Sequence, residues 1–393
     1  MFKNNFSQIL LTLLFISSIS CSNDEKEEEQ KDAIAPSITC LDPINVNIDT
    51  TAKDAMVTYT TPEGTDNIAG AVTRQTSGLA SGESFPVGTT TNTFVVTDAA
   101  GNTTSCSFDV IVARNNPSEN MPYFIGDDPT PTGKKWTSVA ELSDEFNTDI
   151  FDDSKWFRDP SQDQFGWYGR EPALFQPDNV SVGGGSLNVM VKKLQTPITS
   201  NSRNWTHGGA ILRSKTKAIS GYYYEARMKA NETVMSSTFW IAFPQNCNSG
   251  PFRKLELDIQ ECVGRTHSGT DSWAKEWDNI YHSNTWRHAR TCDINSSVQR
   301  PGKKDLEDKN HSRYFVYGCW WKSPTEILFY LDGEYVYTIK PSTDFDLEGH
   351  ITMAMETYDW NPIEPENDLT ATGTEEQRTT KYDWVRTWKL EDL

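Results

Sequence analysis

Lys254-Leu255-Glu256-Leu257-Asp258-Ile259-Gln260-Glu261 is the stretch whose reading decides the fold. Leu255, Leu257 and Ile259 alternate with Glu256 and Asp258, the period of a strand with one apolar and one polar face. Glu256 and Asp258 therefore share a side, away from the apolar packing. Glu261 lies five residues beyond Glu256, so in a regular strand it points the opposite way. One extra residue near Ile259-Gln260, a β-bulge, turns it back beside the other two. Three carboxyls then stand in a row on one sheet surface. Like charges held so close raise at least one pKa, so one group can keep its proton near neutral pH while another is ionised. Two carboxyls about 5–5.5 Å apart in those two states are what a retaining glycosidase uses. The plainer reading is an edge strand with a solvated acidic face that discourages sheet-to-sheet aggregation. The spacing leaves both open.

The motif Glu256-Leu257-Asp258-Ile259-Gln260-Glu261 resembles the active-site signature of glycoside hydrolase family 16, in its bulged form. The resemblance implies that Glu256 is the nucleophile, Glu261 the general acid/base and Asp258 the supporting carboxylate between them. Similar segments recur in family order. They are Ser143-Asp144-Glu145-Phe146-Asn147, Gly208 to Lys215, Gly221 to Lys229, Phe239-Trp240, Ile327 to Gly333 and Tyr382-Asp383-Trp384-Val385-Arg386. The resemblance runs from Lys134 to Leu390. It implies an all-β fold, a concave β-jelly-roll sandwich with substrate lying across the concave sheet. The strand pattern agrees, without choosing a jelly roll over another sandwich.

At 393 residues the chain has room for two domains. Thirteen Trp, 14 Tyr and 18 Phe supply a core and leave rings for a carbohydrate-stacking surface. The net charge of -19 argues against nucleic acid and against electrostatic binding to anionic headgroups. Its plainer meaning is solubility, and a monomer is expected.

Residues 1–21 read as a signal. Lys3 precedes an apolar run, Ile9 to Ile16, too short to span a bilayer. Cys21 after small residues resembles the acylated cysteine of a bacterial lipobox, with Ser18 departing from the strict pattern. The expectation is an exported lipoprotein on the outer membrane or cell surface, held by a lipid anchor. Residues 22–35 are an acidic linker.

From 36 to 113, short alternating runs such as Val57-Thr58-Tyr59-Thr60 and Phe108 to Val112 are separated by turn residues, as in a small β-sandwich. The module resembles a hyalin repeat (HYR), an immunoglobulin-like fold. Cys40 and Cys106, near its two ends, are candidates for a disulfide. Spacer or adhesion module is the expected role. Residues 114–133, with four prolines, read as a second linker, and 134–393 as the hydrolase domain. Pairing among Cys247, Cys262, Cys292 and Cys319 stays open, and none has the close spacing of a zinc site.

Sugar rings present apolar C–H faces, so Trp167 and Trp240 are the expected platforms. Gly169-Arg170-Glu171-Pro172-Ala173 and Glu356 to Pro362 resemble segments of the family's agarases and porphyranases. The resemblance points to β-1,4 bonds of red-algal galactans, with Arg170 and Glu356 binding substrate. Arg170 could take a sulfate or hydroxyl through charge-assisted hydrogen bonds. His282 is a further substrate or carboxylate partner, and Trp286 stands where many agarases carry a second His. The chemistry requires no cofactor. The family often carries a structural calcium, and Glu145, Gly185 and Asp383 match its positions. Alternatives are a carrageenan- or β-glucan-active relative, or a non-catalytic galactan-binding surface protein.

Overall fold

The structure, a computed structural model, describes residues 32–48, 52, 54–114, 120–126, 128–163, 165–200, 202–244, 253–289 and 296–393. The signal, Cys21, most of the first linker, Cys247 and Cys292 lie outside the described residues.

In the N-terminal part, Ile44–Ile48, Thr103–Arg114, Gly88–Thr97 and Val72–Ser77 form a four-stranded sheet in that order. Asp54–Met56 pairs separately with Ser84–Pro86. The alternating residues Phe94 and Val96, and Phe108, Val110 and Val112, are buried. The strand expected at Val57–Thr60 falls earlier, at Asp54–Met56. Val57 and Tyr59 instead use their N–H groups on the Glu83 carbonyl and the Ser81 hydroxyl. Cys40 and Cys106 are joined in a disulfide.

The C-terminal part is a sandwich of two sheets, antiparallel except where Ala173–Phe175 pairs parallel with Arg203–Ser214, and their inner faces share one core. The sheet that carries the cleft contains β1 (Arg203–Ser214), β2 (Ser236–Ala242), β3 (Lys254–Val263), β4 (Ile280–His288), β5 (Val298–Asp305) and β6 (His350–Met355). Their spatial order is β5-β4-β3-β2-β6-β1, followed by the short strands Ala173–Phe175 and Gly169–Arg170. The opposite sheet is built around Thr379–Asp392, Tyr223–Lys229 and Phe315–Ser323. Leu255, Leu257 and Ile259 of β3 pack inward with Phe239, Ile351 and Met353, against Tyr224, Tyr317, Trp321 and Tyr382 of the other sheet. Cys262 and Cys319 are free thiols buried in that core.

One departure concerns the second linker. Phe124 packs against Trp136, Tyr223 and Tyr330. The Tyr123 N–H donates to the buried Glu225 carboxylate at 3.1 Å. A stretch that reads as a proline-rich connector is tied down by its two aromatic residues, which turn signals do not register.

Candidate active site

The register between β2 and β3 runs Ala242↔Glu256, Ile241↔Leu257, Trp240↔Asp258, then Phe239↔Gln260 and Thr238↔Glu261. One residue of β3, Ile259, is thus extra, and the bulge returns Glu261 to the face of Glu256 and Asp258. Gln260 fills the resulting gap in the ladder. Its amide donates to the Ile280 carbonyl and accepts from the His282 N–H, each at 3.0 Å. The Ser283 hydroxyl donates to the Ile259 carbonyl at 2.8 Å. A buried Gln at this position lets the backbone leave its regular pairing without orphaned polar groups.

Each glutamate has its own partners. His288 Nε2 lies 3.3 Å from Glu256 Oε2. The imidazole stacks on Trp286 with an interplanar angle of 8°, and Trp286 is the cross-strand neighbour of Glu256. On the other side, the Tyr358 hydroxyl donates to Glu261 Oε1 at 3.1 Å, and His282 Nδ1 lies 3.4 Å from Glu261 Oε2. Burial, reinforced by Glu261, holds the Tyr358 phenol well above its ordinary pKa, so it keeps its proton and donates. Asp258 is 2% exposed. Burial first, then the charges of Glu261 and Glu256, pushes its carboxyl well above the ordinary range. The rise favours the protonated form of the carboxyl that stands between the two glutamates.

Around these carboxylates runs a groove in two parts. One part, about 350 Å³, is lined by Trp167, Arg170, Arg213, Trp240, Asp258 and Glu356 among others. Trp167 and Trp240 meet edge-on at 6.2 Å. Arg170 Nε lies 3.1 Å from Glu356 Oε2, and its guanidinium sits 5.0 Å from the Tyr358 ring centroid. Burial pushes the Glu356 carboxyl up to about 8 against the pull of Arg170, with Glu261 and Glu256 adding to the rise. Arg213 is fully buried beside Phe165 and paired with Asp163. The second part, about 650 Å³, contains His282, Trp286, Trp273, Trp277 and Trp360. Glu256, Glu261, Arg170, His288 and Tyr358 border both parts.

All eight residues expected at the catalytic and substrate sites therefore line this groove. The calcium set reads differently. Glu145 holds Arg386 through both carboxylate oxygens, at 2.7 and 2.8 Å, and Asp383 holds Arg227 at 2.6 Å. Arginines thus neutralise both carboxylates, so a calcium at Glu145, Gly185 and Asp383 would have to be held through backbone carbonyls.

His288 and the Trp273 and Trp277 rings are missing from the sequence reading, and Trp360 enters it only within the Glu356 to Pro362 segment, with no role of its own. Strand alternation from Trp286 puts His288 on the Glu256 side, so its signal was present. Trp273 and Trp277 lie outside the strands and gave none.

Residues 136–390 match the family described as "Beta-porphyranase A-D, GH16 domain", and residues 31–112 match the HYR domain family. β-Porphyranase B of Zobellia galactanivorans is 40% identical over 281 residues, covering 70% of this chain and 92% of the relative. The crystal structure of porphyranase B from that organism superposes with a TM-score of 0.63 at 39% identity, over 70% of this chain and all of the other. A β-porphyranase from the human gut bacterium Bacteroides plebeius gives a TM-score of 0.58 at 30% identity, over 68% and 96% of the two chains.

Proposed function

The chain belongs to the β-porphyranase A–D family of glycoside hydrolase 16 domains, and on that premise we propose that it cleaves β-1,4 bonds of agar-type galactans with retention, porphyran ahead of agarose. It is an endo-acting glycoside hydrolase that acts on galactan. The observation that carries the finer reading is the bulge, which brings Glu256, Asp258 and Glu261 onto one face inside a groove.

In the first step Glu256 attacks the anomeric carbon while Glu261 gives its proton to the departing oxygen. In the second, Glu261 takes a proton from water, and the water oxygen displaces Glu256. His288 holds the Glu256 oxygen that must reach the sugar. Tyr358 holds Glu261 where the leaving oxygen arrives, with His282 beside it.

Porphyran is placed first because the similar proteins are named for it and because Arg170 lines the groove, where a guanidinium suits a sulfate ester. Assaying new reducing ends on equal amounts of porphyran, agarose, κ-carrageenan, laminarin and lichenan tests this. Porphyran should lead, followed by agarose. A lead for carrageenan or a β-glucan would overturn the galactan assignment and leave the catalytic pair standing. Activity on none would favour a binding protein.

Export and a lipid anchor on Cys21 complete the proposal. Cys21→Ala should abolish incorporation of labelled fatty acid, and labelling of the variant would refute the anchor. The HYR domain would then set attachment or reach.

A further inference from the structure

We propose that Trp273, Trp277 and Trp360 form the leaving-group shelf of the groove, a subsite that holds the galactan sugars on the reducing-end side of the cut bond. This rests on the reading of Glu261 as the acid/base.

The rings are continuous with Glu261. Its two partners each touch one of them: His282 lies 4.4 Å from Trp277, and Tyr358 stacks on Trp360 at 4.7 Å. Trp360 and Trp277 are 4.8 Å apart, and Trp273 caps them at 5.2 and 5.9 Å. The series leads outward from the proton donor to an indole that is 60% exposed. The glutamates border both parts of the groove, but the other part adds Asp258 and Trp240 rather than these rings. The bond broken lies beside Glu261, so sugars departing past it meet these rings first.

The shelf is held rigidly. The Asp271 N–H donates to the Trp360 carbonyl at 2.8 Å. The Thr270 hydroxyl donates to Asn361 Oδ1 at 2.6 Å, and the Asn361 amide donates to the Val234 carbonyl at 2.7 Å. The Trp273 indole N–H donates to Asp271 at 3.2 Å. An exposed indole fixed by its neighbours loses little freedom on binding. Its flat face suits the apolar C–H face of a pyranose. Continuity with the catalytic groove makes a galactan chain the occupant.

The test compares full-length wild type, Trp273→Ala and Trp273→Phe on two substrates. One is a porphyran-derived octasaccharide. The other is an activated aryl β-oligogalactoside, whose leaving group is too short to reach Trp273. Trp273→Ala should lose about 10-fold in kcat/KM on the octasaccharide and less than about 2-fold on the aryl substrate. Cleavage should shift along the octasaccharide, and Trp273→Phe should recover most of the rate. Equal rates for all three proteins on the octasaccharide would overturn the shelf. A loss as large on the aryl substrate would mean that the rings hold the glycone, reversing the roles of Glu256 and Glu261. Failure of wild type on both substrates would instead overturn the hydrolase reading on which the shelf rests.

Discussion

At the scale of single residues, the site sets two carboxyls raised by burial, Asp258 and Glu356, beside the two glutamates. His288 is placed to hold Glu256 for attack. A hydrogen bond to a charged group contributes roughly 1.5–3 kcal/mol, so His288→Ala should lower kcat about 10- to 100-fold with little change in KM. His288→Gln, which keeps a donor, should recover part of it. A change confined to KM would place His288 in substrate binding instead. Glu356 gives a pH prediction. Its folded pKa, about 8, lies above the unfolded value near 4.5, so the folded state holds the proton more tightly. That contribution to stability is fully present below the unfolded value and is lost as pH rises through about 8. Glu356→Gln, neutral at every pH, should therefore lose less of its Tm than wild type between pH 6 and pH 9. A larger loss in the variant would show that ionised Glu356 stabilises through Arg170.

At the scale of elements, the bulged strand decides the chemistry. Gln260 joins it to β4 through Ile280 and His282. The Ile280 carbonyl also accepts from Asn310, so Gln260→Leu chiefly orphans the part-buried His282 N–H. The expected cost is about 1–3 kcal/mol, read as a lower Tm, together with a fall in kcat as Glu261 loses its bearing. Wild-type Tm and kcat in Gln260→Leu would mean that the bulge is held by other contacts. This strand is also where the sequence was most readable. Alternation places Glu256 and Asp258 on one side, and the five-residue step to Glu261 requires the extra residue that the register contains. The aromatic shelf was not readable, because Trp273 and Trp360 are brought together by hydrogen bonds between segments with no periodic pattern. Glu145 and Asp383 show what a family match leaves out. Matching a family position does not reveal that an arginine already occupies each carboxylate.

At the scale of the molecule, the hydrolase unit begins earlier than the strand pattern suggests. Phe124 fills an aromatic cluster with Trp136, Tyr223 and Tyr330. Glu225, pushed up to about 7 by burial, accepts from Tyr123 N–H and Trp388 Nε1. A chain of residues 120–393 should hydrolyse soluble oligosaccharides at the full-length rate. A chain of residues 134–393 keeps every residue of the groove but loses these contacts. It should melt a few degrees lower, since the partly buried Phe124 and the buried Tyr123 both leave their clusters. Equal melting of the two would show that residues 120–133 are only a connector. Reduction of the Cys40–Cys106 disulfide should leave activity on soluble substrate unchanged, because the groove lies wholly between Phe165 and Trp360.

The central claim is that Glu256 and Glu261 divide nucleophile and acid/base between them, and azide rescue tests it most directly. On an activated aryl β-galactoside, whose leaving group needs no proton, Glu261→Ala should still glycosylate Glu256. Added azide should then restore turnover, giving the β-glycosyl azide. Glu256→Ala, with no nucleophile, should give only the α-product. An α-azide from Glu261→Ala would mean that the roles are reversed, and near-normal hydrolysis by either variant without azide would contradict the mechanism itself.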